Sequence, residues 1–189
     1  MLSHINVDTM REKLRDKDTN MRTYLKLMEW ARSCDVTKNS EFQKKYKGFY
    51  RVRRNNDWSR PYFEFMESHK VTGSIFEDVL NHVFDTTGKV EGSFSSKLLA
   101  TINPHKPIWD KLVLDQLSIR KPVQGQKNKQ KQIKESLATY SKLENWYTNY
   151  LETPNAKEVI TLFDEMYPFA AIMTDVKKID WALWSMGAG

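Results

Sequence analysis

Residues 84–117 read FDTTGKVEGSFSSKLLATINPHKPIWDKLVLDQL. The stretch enters from a helical run in which Phe76, Val79, Leu80 and Val83 share one face, and Gly88 supplies the stop. A tight connection, Thr87-Gly88-Lys89-Val90-Glu91-Gly92, leads to a second helix from Ser93, with Phe94, Leu98, Leu99 and Ile102 as its apolar stripe. Asn103-Pro104 ends that helix, because the residue before a proline is disfavoured in the α conformation. A shorter helix is expected over residues 108–117, with Asp110 at its start. The reading is a helix, a hairpin and a helix.

The same helical period extends outward in both directions. Met21, Tyr24, Leu25, Leu27, Met28 and Ala31 form a stripe after a Thr19-Asn20 cap, and Phe42, Tyr46, Phe49 and Tyr50 form another after Ser40. Tyr62, Phe65 and Met66 follow Pro61, which is placed in a first helical turn. Toward the C-terminus, Ile133, Leu137, Tyr140, Leu143, Tyr147, Tyr150 and Leu151 mark a long amphipathic helix. Val159, Ile160, Phe163 and Met166 give a further helix before Pro168, and Val176, Ile179, Leu183 and Trp184 a last one. No segment alternates with period two for long enough to make a strand. The expectation is an all-α, compact multi-helix domain over residues 1–189, with two small helical lobes around the helix-hairpin-helix. The lobe boundary is placed near residues 119–132, where PVQGQKNKQKQIK (122–134) reads as a loop running into a helix.

Composition narrows the chemistry. The single cysteine, Cys34, excludes an internal disulfide and any four-cysteine zinc or iron–sulfur site, and reads as a packing thiol. His4, His69, His82 and His105 are scattered without metal-ligand spacing, so neither a metal nor another cofactor is implied. The first eighteen residues carry charge throughout and no apolar signal core. The longest apolar stretch, Phe169-Ala170-Ala171-Ile172-Met173, is far below the roughly 20 residues a membrane span requires. A cytoplasmic protein without a membrane partner is expected.

Thirty Lys+Arg against twenty-four Asp+Glu give a net charge of +6, which favours a polyanionic partner. The charge lies in two runs. Residues 41–54 hold Lys44, Lys45, Lys47, Arg51, Arg53 and Arg54 with Tyr46, Phe49 and Tyr50 between them, and residues 116–134 hold Arg120, Lys121, Lys127, Lys129, Lys131 and Lys134 with no acid. Such side chains hold phosphates, and arginine stacks on bases; the plain alternative is a solvated helix face and a solvated loop. Gly88 and Gly92 add a hairpin whose amides would be free to meet phosphate. Lys97 lies among Ser95, Ser96, Leu98 and Leu99, an apolar setting that lowers an amine's pKa and makes it nucleophilic. Its ordinary role would be a snorkelling surface lysine. Asp110 follows the apolar Pro107-Ile108-Trp109 and would stand at a cleft edge; its ordinary role would be a helix N-cap.

The order of these elements resembles the helix-hairpin-helix DNA glycosylase superfamily, the endonuclease III and 8-oxoguanine glycosylase group. The likeness runs through Gly92-Ser93-Phe94-Ser95-Ser96-Lys97 for the hairpin exit and through Ile108-Trp109-Asp110-Lys111-Leu112-Val113 for an apolar–Asp–x–x–Val segment. The hairpin lacks Leu-Pro-Gly-x-Gly, and only 13 positions separate Lys97 from Asp110. The text is also similar to SFxSKLLATINPxxPIWD in a group of uncharacterised bacterial proteins. The resemblance implies that Lys97 attacks the sugar, that Asp110 stabilises its cation and that the hairpin grips the DNA backbone. No cofactor would be needed, and DNA is favoured over RNA. Two other functions stay open: a helical protein that binds nucleic acid without catalysis, and a small protein-binding regulator or inhibitor from a mobile element that uses aromatic hot spots.

Overall fold

The computed structural model describes residues 4–123 and 127–188. The chain is all-α: α1 (Val7–Leu14), α2 (Asp18–Ser33), α3 (Ser40–Phe49), α4 (Asn56–His69), α5 (Phe76–Thr87), α6 (Gly92–Ile102), α7 (Lys111–Gln116), α8 (Lys129–Leu151), α9 (Pro154–Met166) and α10 (Asp175–Gly187), with a 3-10 turn at Pro168–Ala170. Among the described residues there is no strand, and no helix is long and apolar enough to cross a membrane.

Side-chain caps set most helix starts. Asn6, Asn39, Asn55, Asn128, Thr153 and Thr174 each accept a hydrogen bond from the third residue beyond, at Thr9, Phe42, Trp58, Lys131, Ala156 and Lys177. Each removes one of the orphan donors a helix start leaves, a contribution of about 1 kcal/mol. The caps correct several sequence boundaries. Asn55 starts α4 six residues before Pro61, so the proline lies inside the helix and withdraws the amide that would meet the Asp57 carbonyl. α2 begins at Asp18 without a side-chain cap, not after Thr19-Asn20. α8 begins at Lys129, which places Lys129 and Lys131 on a helix; Gln124, Gly125 and Gln126 of the expected loop lie outside the described residues. α1 has no counterpart in the sequence reading.

The buried apolar side chains form one continuous cluster. α2 to α6 pack on one another, whereas α10 packs on α1, α7, α8 and α9. Stacked rings of Phe76 and Tyr140, 3.8 Å apart, join α5 to α8, and an edge contact of Tyr24 with Trp181 joins α2 to α10. The first helix belongs with the last ones. Asn155 accepts from the Ile5 amide at 2.9 Å and donates to the Ile5 carbonyl at 3.0 Å, and Tyr167 donates to the Leu14 carbonyl.

The loop between α6 and α7 is held by a polar network buried beneath it. Lys177 is 1% exposed and donates to Asp180 at 2.6 Å and to the Lys106 carbonyl at 2.8 Å. Asp180 also accepts from the Tyr147 hydroxyl and from the Ile108 amide at 3.3 Å. Tyr140 donates to the Pro107 carbonyl at 3.0 Å and Thr174 to the Pro104 carbonyl at 2.6 Å. Burial pushes the Asp180 carboxyl up and the Lys177 ammonium down; their mutual attraction and the donors around Asp180 oppose both shifts.

Candidate functional site

The first half of α6 gathers the chemistry. Gly88 ends α5 in the left-handed conformation at φ 67°, and its amide donates to the Phe84 carbonyl at 2.7 Å. That amide is therefore not available to a phosphate. Gly92 is buried under Trp109, where an added Cβ would stand 2.9 Å from the indole Cζ3. Its lack of a side chain serves close packing. Gly92→Ala is expected to lower stability by about 1–3 kcal/mol in urea denaturation, because a rigid buried ring must shift.

Lys97 sits one turn further along α6 and is 9% exposed. Its Nζ lies 3.4 Å from the Tyr50 carbonyl, 5.4 Å from the Phe94 ring and 5.9 Å from the Tyr50 ring. Among the described residues it makes no ion pair. Burial lowers its pKa below the ordinary lysine value; Asp110 pulls it back up and Arg51 pushes it further down. The three groups therefore share one electrostatic neighbourhood, although no salt bridge joins them. Asp110 is half-buried and caps α7, its Oδ1 accepting from the Leu112 amide at 2.9 Å. This cap starts α7 at Lys111, as the N-cap reading of Asp110 implies, inside the expected span 108–117.

One further hydrogen bond fixes the relation of Lys97 to Asp110. The Ser96 hydroxyl accepts from the Trp109 amide at 2.9 Å, which ties α6 to the residue before Asp110. On the other side, Thr101 donates to the Lys97 carbonyl at 2.8 Å and lies 3.2 Å from the Tyr46 hydroxyl, while Tyr62 donates to the Phe94 carbonyl at 2.8 Å.

A lysine whose folded pKa is depressed is charged in the unfolded chain while the fold disfavours that charge. Stability thus rises with pH between the folded value and the ordinary value near 10.5. Lys97→Met is expected to be more stable than the parent by roughly 1–2 kcal/mol at neutral pH. The pH slope in that interval should vanish with it, a comparison that denaturant melts at several pH values would make.

Arg51 and Arg53 are exposed beside this site, and Arg51 adopts φ 53°, a left-handed conformation that is unfavourable for a residue with a Cβ. Arg54 pairs with Glu91 at the start of α6 and stands 5.6 Å from the Phe94 ring, with its Nε buried and unpartnered. Lys45 turns away, toward Glu41 at 3.5 Å and the Trp30 ring. Lys44 and Lys47 lie on the same helix, α3, exposed and half-buried respectively.

A pocket of about 140 Å³ opens at the α6 N-terminus, with Glu91, Gly92, Trp109, Lys111, Lys121 and Gln132 in its wall. Lys129 precedes Gln132 by three residues on α8, and exposed Lys127 and Lys131 flank that first turn. Glu91 thus pairs with Arg54 and also lines the pocket whose wall holds Lys111 and Lys121.

No family model, curated protein or solved structure matches the chain. What the site can do rests on its own residues. Among the described residues no group of three or more His, Cys, Asp or Glu side chains could hold a metal. Cys34 is packed, with its thiol donating to the Trp30 carbonyl at 3.0 Å. Sequence reasoning missed the Arg54–Glu91 pair, the Gln132 pocket and the Lys177–Asp180 network. Only the last left a local trace, opposite charges three residues apart on an otherwise apolar helix.

Proposed function

We propose that this protein binds DNA and cleaves the N-glycosidic bond of an everted base, with Lys97 as nucleophile and Asp110 as the carboxylate that stabilises the sugar cation. The observation that carries the reading is the Lys97 amine. It is buried, without an ion pair, its hydrogen bond going to the Tyr50 carbonyl, shifted toward its neutral form and within the electrostatic reach of Asp110 and Arg51. A lysine kept for stability alone would gain from a carboxylate partner or from solvent, and this one has little of either. Asp110 would favour positive charge developing at the sugar as the base departs. The neutral Lys97 amine would form a bond to C1′ while the C1′–N bond breaks and the base leaves with a proton. Opening of the sugar ring would give a Schiff base. Arg51, Arg53 and Arg54, with Lys127, Lys129 and Lys131, would hold phosphates on either side.

The test is salt-titrated binding to duplexes carrying an abasic site or altered bases, with borohydride added in parallel. The expected result is binding that weakens with salt and a trapped covalent adduct that is absent in Lys97→Ala. The low exposure of Lys97 and the capping role of Asp110 favour a second reading, a DNA-binding scaffold without catalysis. Binding with neither adduct nor base release would establish it. No binding even at low salt would overturn both in favour of a protein partner.

A further inference from the structure

We propose that Arg51 is a positioning residue that anchors the phosphodiester of the nucleotide acted on at Lys97. This deepens the proposed action on DNA by naming what seats the substrate at that site, and rests on that reading for the identity of the strand. Arg51 is a backbone outlier. Among the described residues, three other than glycine adopt positive φ: Asp16 at 65°, Arg51 at 53° and Ser118 at 52°. Aspartate is enriched in this region and serine is short, whereas a bulky side chain there is uncommon. Arginine is the costly choice of the three.

The end of α3 dictates that conformation. The Val52 amide donates to the Lys47 carbonyl at 2.8 Å and the Arg51 amide to the Gly48 carbonyl at 3.3 Å, the two bonds of a Schellman motif. The residue just after the cap of such an end must be left-handed and is usually glycine. α5 follows the rule with Gly88 at φ 67°. α3 carries an arginine there, a side chain kept against the preference of its backbone. Strain of this kind persists chiefly at binding and catalytic sites.

Contacts within the fold do not account for the side chain. Arg51 is exposed, and its guanidinium forms no ion pair or hydrogen bond among the described residues. The positive charge that a helix C-terminus favours is already supplied by Lys47 in the last turn of α3. What Arg51 adjoins is the amine. The carbonyl of the preceding residue, Tyr50, lies 3.4 Å from Lys97 Nζ. The Arg51 charge also acts on that amine, in the sense opposite to Asp110. A guanidinium meets a phosphate in bidentate fashion. The phosphodiester and the C1′ carbon belong to one nucleotide, so a phosphate held at Arg51 brings that sugar to Lys97.

The test is thermal unfolding and salt-titrated duplex binding of the full chain and its Arg51 variants. Arg51→Gly removes the strain and the guanidinium together. Its thermal midpoint should rise by about 2–4 °C, because glycine adopts the left-handed conformation freely. Its affinity for a duplex carrying a stable abasic analogue should fall about tenfold at low salt, with the salt slope reduced by about one. The unmodified duplex should lose clearly less. Arg51→Lys should restore most of the affinity and forfeit the gain in stability, whereas Arg53→Ala should weaken both duplexes equally. A lowered midpoint in Arg51→Gly would assign the arginine to the fold and overturn the anchor. Unchanged affinity, or equal losses on the two duplexes, would overturn it as well. The borohydride adduct scores the glycosylase reading separately. Abasic-duplex binding that depends on Arg51 without any adduct would keep the anchor and remove the nucleophile. An adduct undiminished in Arg51→Gly would do the reverse, and a parent that binds neither duplex would overturn both.

Discussion

Asp180→Ala is expected to lower folding stability by about 3–5 kcal/mol, a large part of the 5–15 kcal/mol typical of a whole domain. The substitution leaves the Lys177 ammonium 1% exposed with no counter-charge, and it also deprives the Tyr147 hydroxyl and the Ile108 amide of their acceptor. A lone buried charge is far less favourable than a paired one, because the desolvation remains after the attraction is gone. The double variant Asp180→Ala with Lys177→Met should recover much of the loss, since it removes the stranded charge. Urea midpoints at constant slope would check both. If the single variant shifted stability by less than about 1 kcal/mol, the network would not be the clamp described above.

Under the proposed glycosylase reading, Asp110→Asn is expected to reduce base release by about 10²–10³-fold, the range seen when one group that stabilises transition-state charge is removed. Its fold and its DNA affinity should stay near the parent's. The reason is that the proposed reading adds a charge-dependent task to the cap observed at Asp110. As an N-cap it needs only an oxygen facing the Leu112 amide, and asparagine caps as well as aspartate. As a stabiliser of a sugar cation it needs the negative charge, which asparagine lacks. Base release and salt-titrated binding measured on the same preparation separate the two roles. Equal loss of turnover and of binding would argue that Asp110 acts only by holding the loop.

The helices were legible where apolar spacing and local chemistry agreed. α5, α8, α9 and α10 follow their stripes, and Gly88 ends α5 as its sequence position implied. Starts were misplaced at α2 and α4, and at α4 the strong signal of Pro61 masked the quieter Asn55 cap. α1 escaped because Met10 and Leu14 are spaced among charged residues and become a stripe only against α9 and α10. At the site, the residue types of Lys97 and Asp110 could be read. Their shared neighbourhood could not, since it depends on the Trp109–Ser96 hydrogen bond and on the buried network beneath residues 104–108. Gln132 gave no signal, because a glutamine in a Gln/Lys-rich stretch looks like solvated surface until the fold encloses it.

The clasp between Ile5 and Asn155 spans a sequence separation of 150 residues. On a ribosome adding about 5–20 residues each second, α1 would wait roughly 10–30 s before its docking surface existed. During that interval Met10 and Leu14, fully buried in the finished fold, have no partner to cover them. Until α9 and α10 are made, the nascent chain therefore carries an uncovered apolar segment, a natural handle for a chaperone. Ring closure over so long a span should also make docking of α1 a late step in refolding.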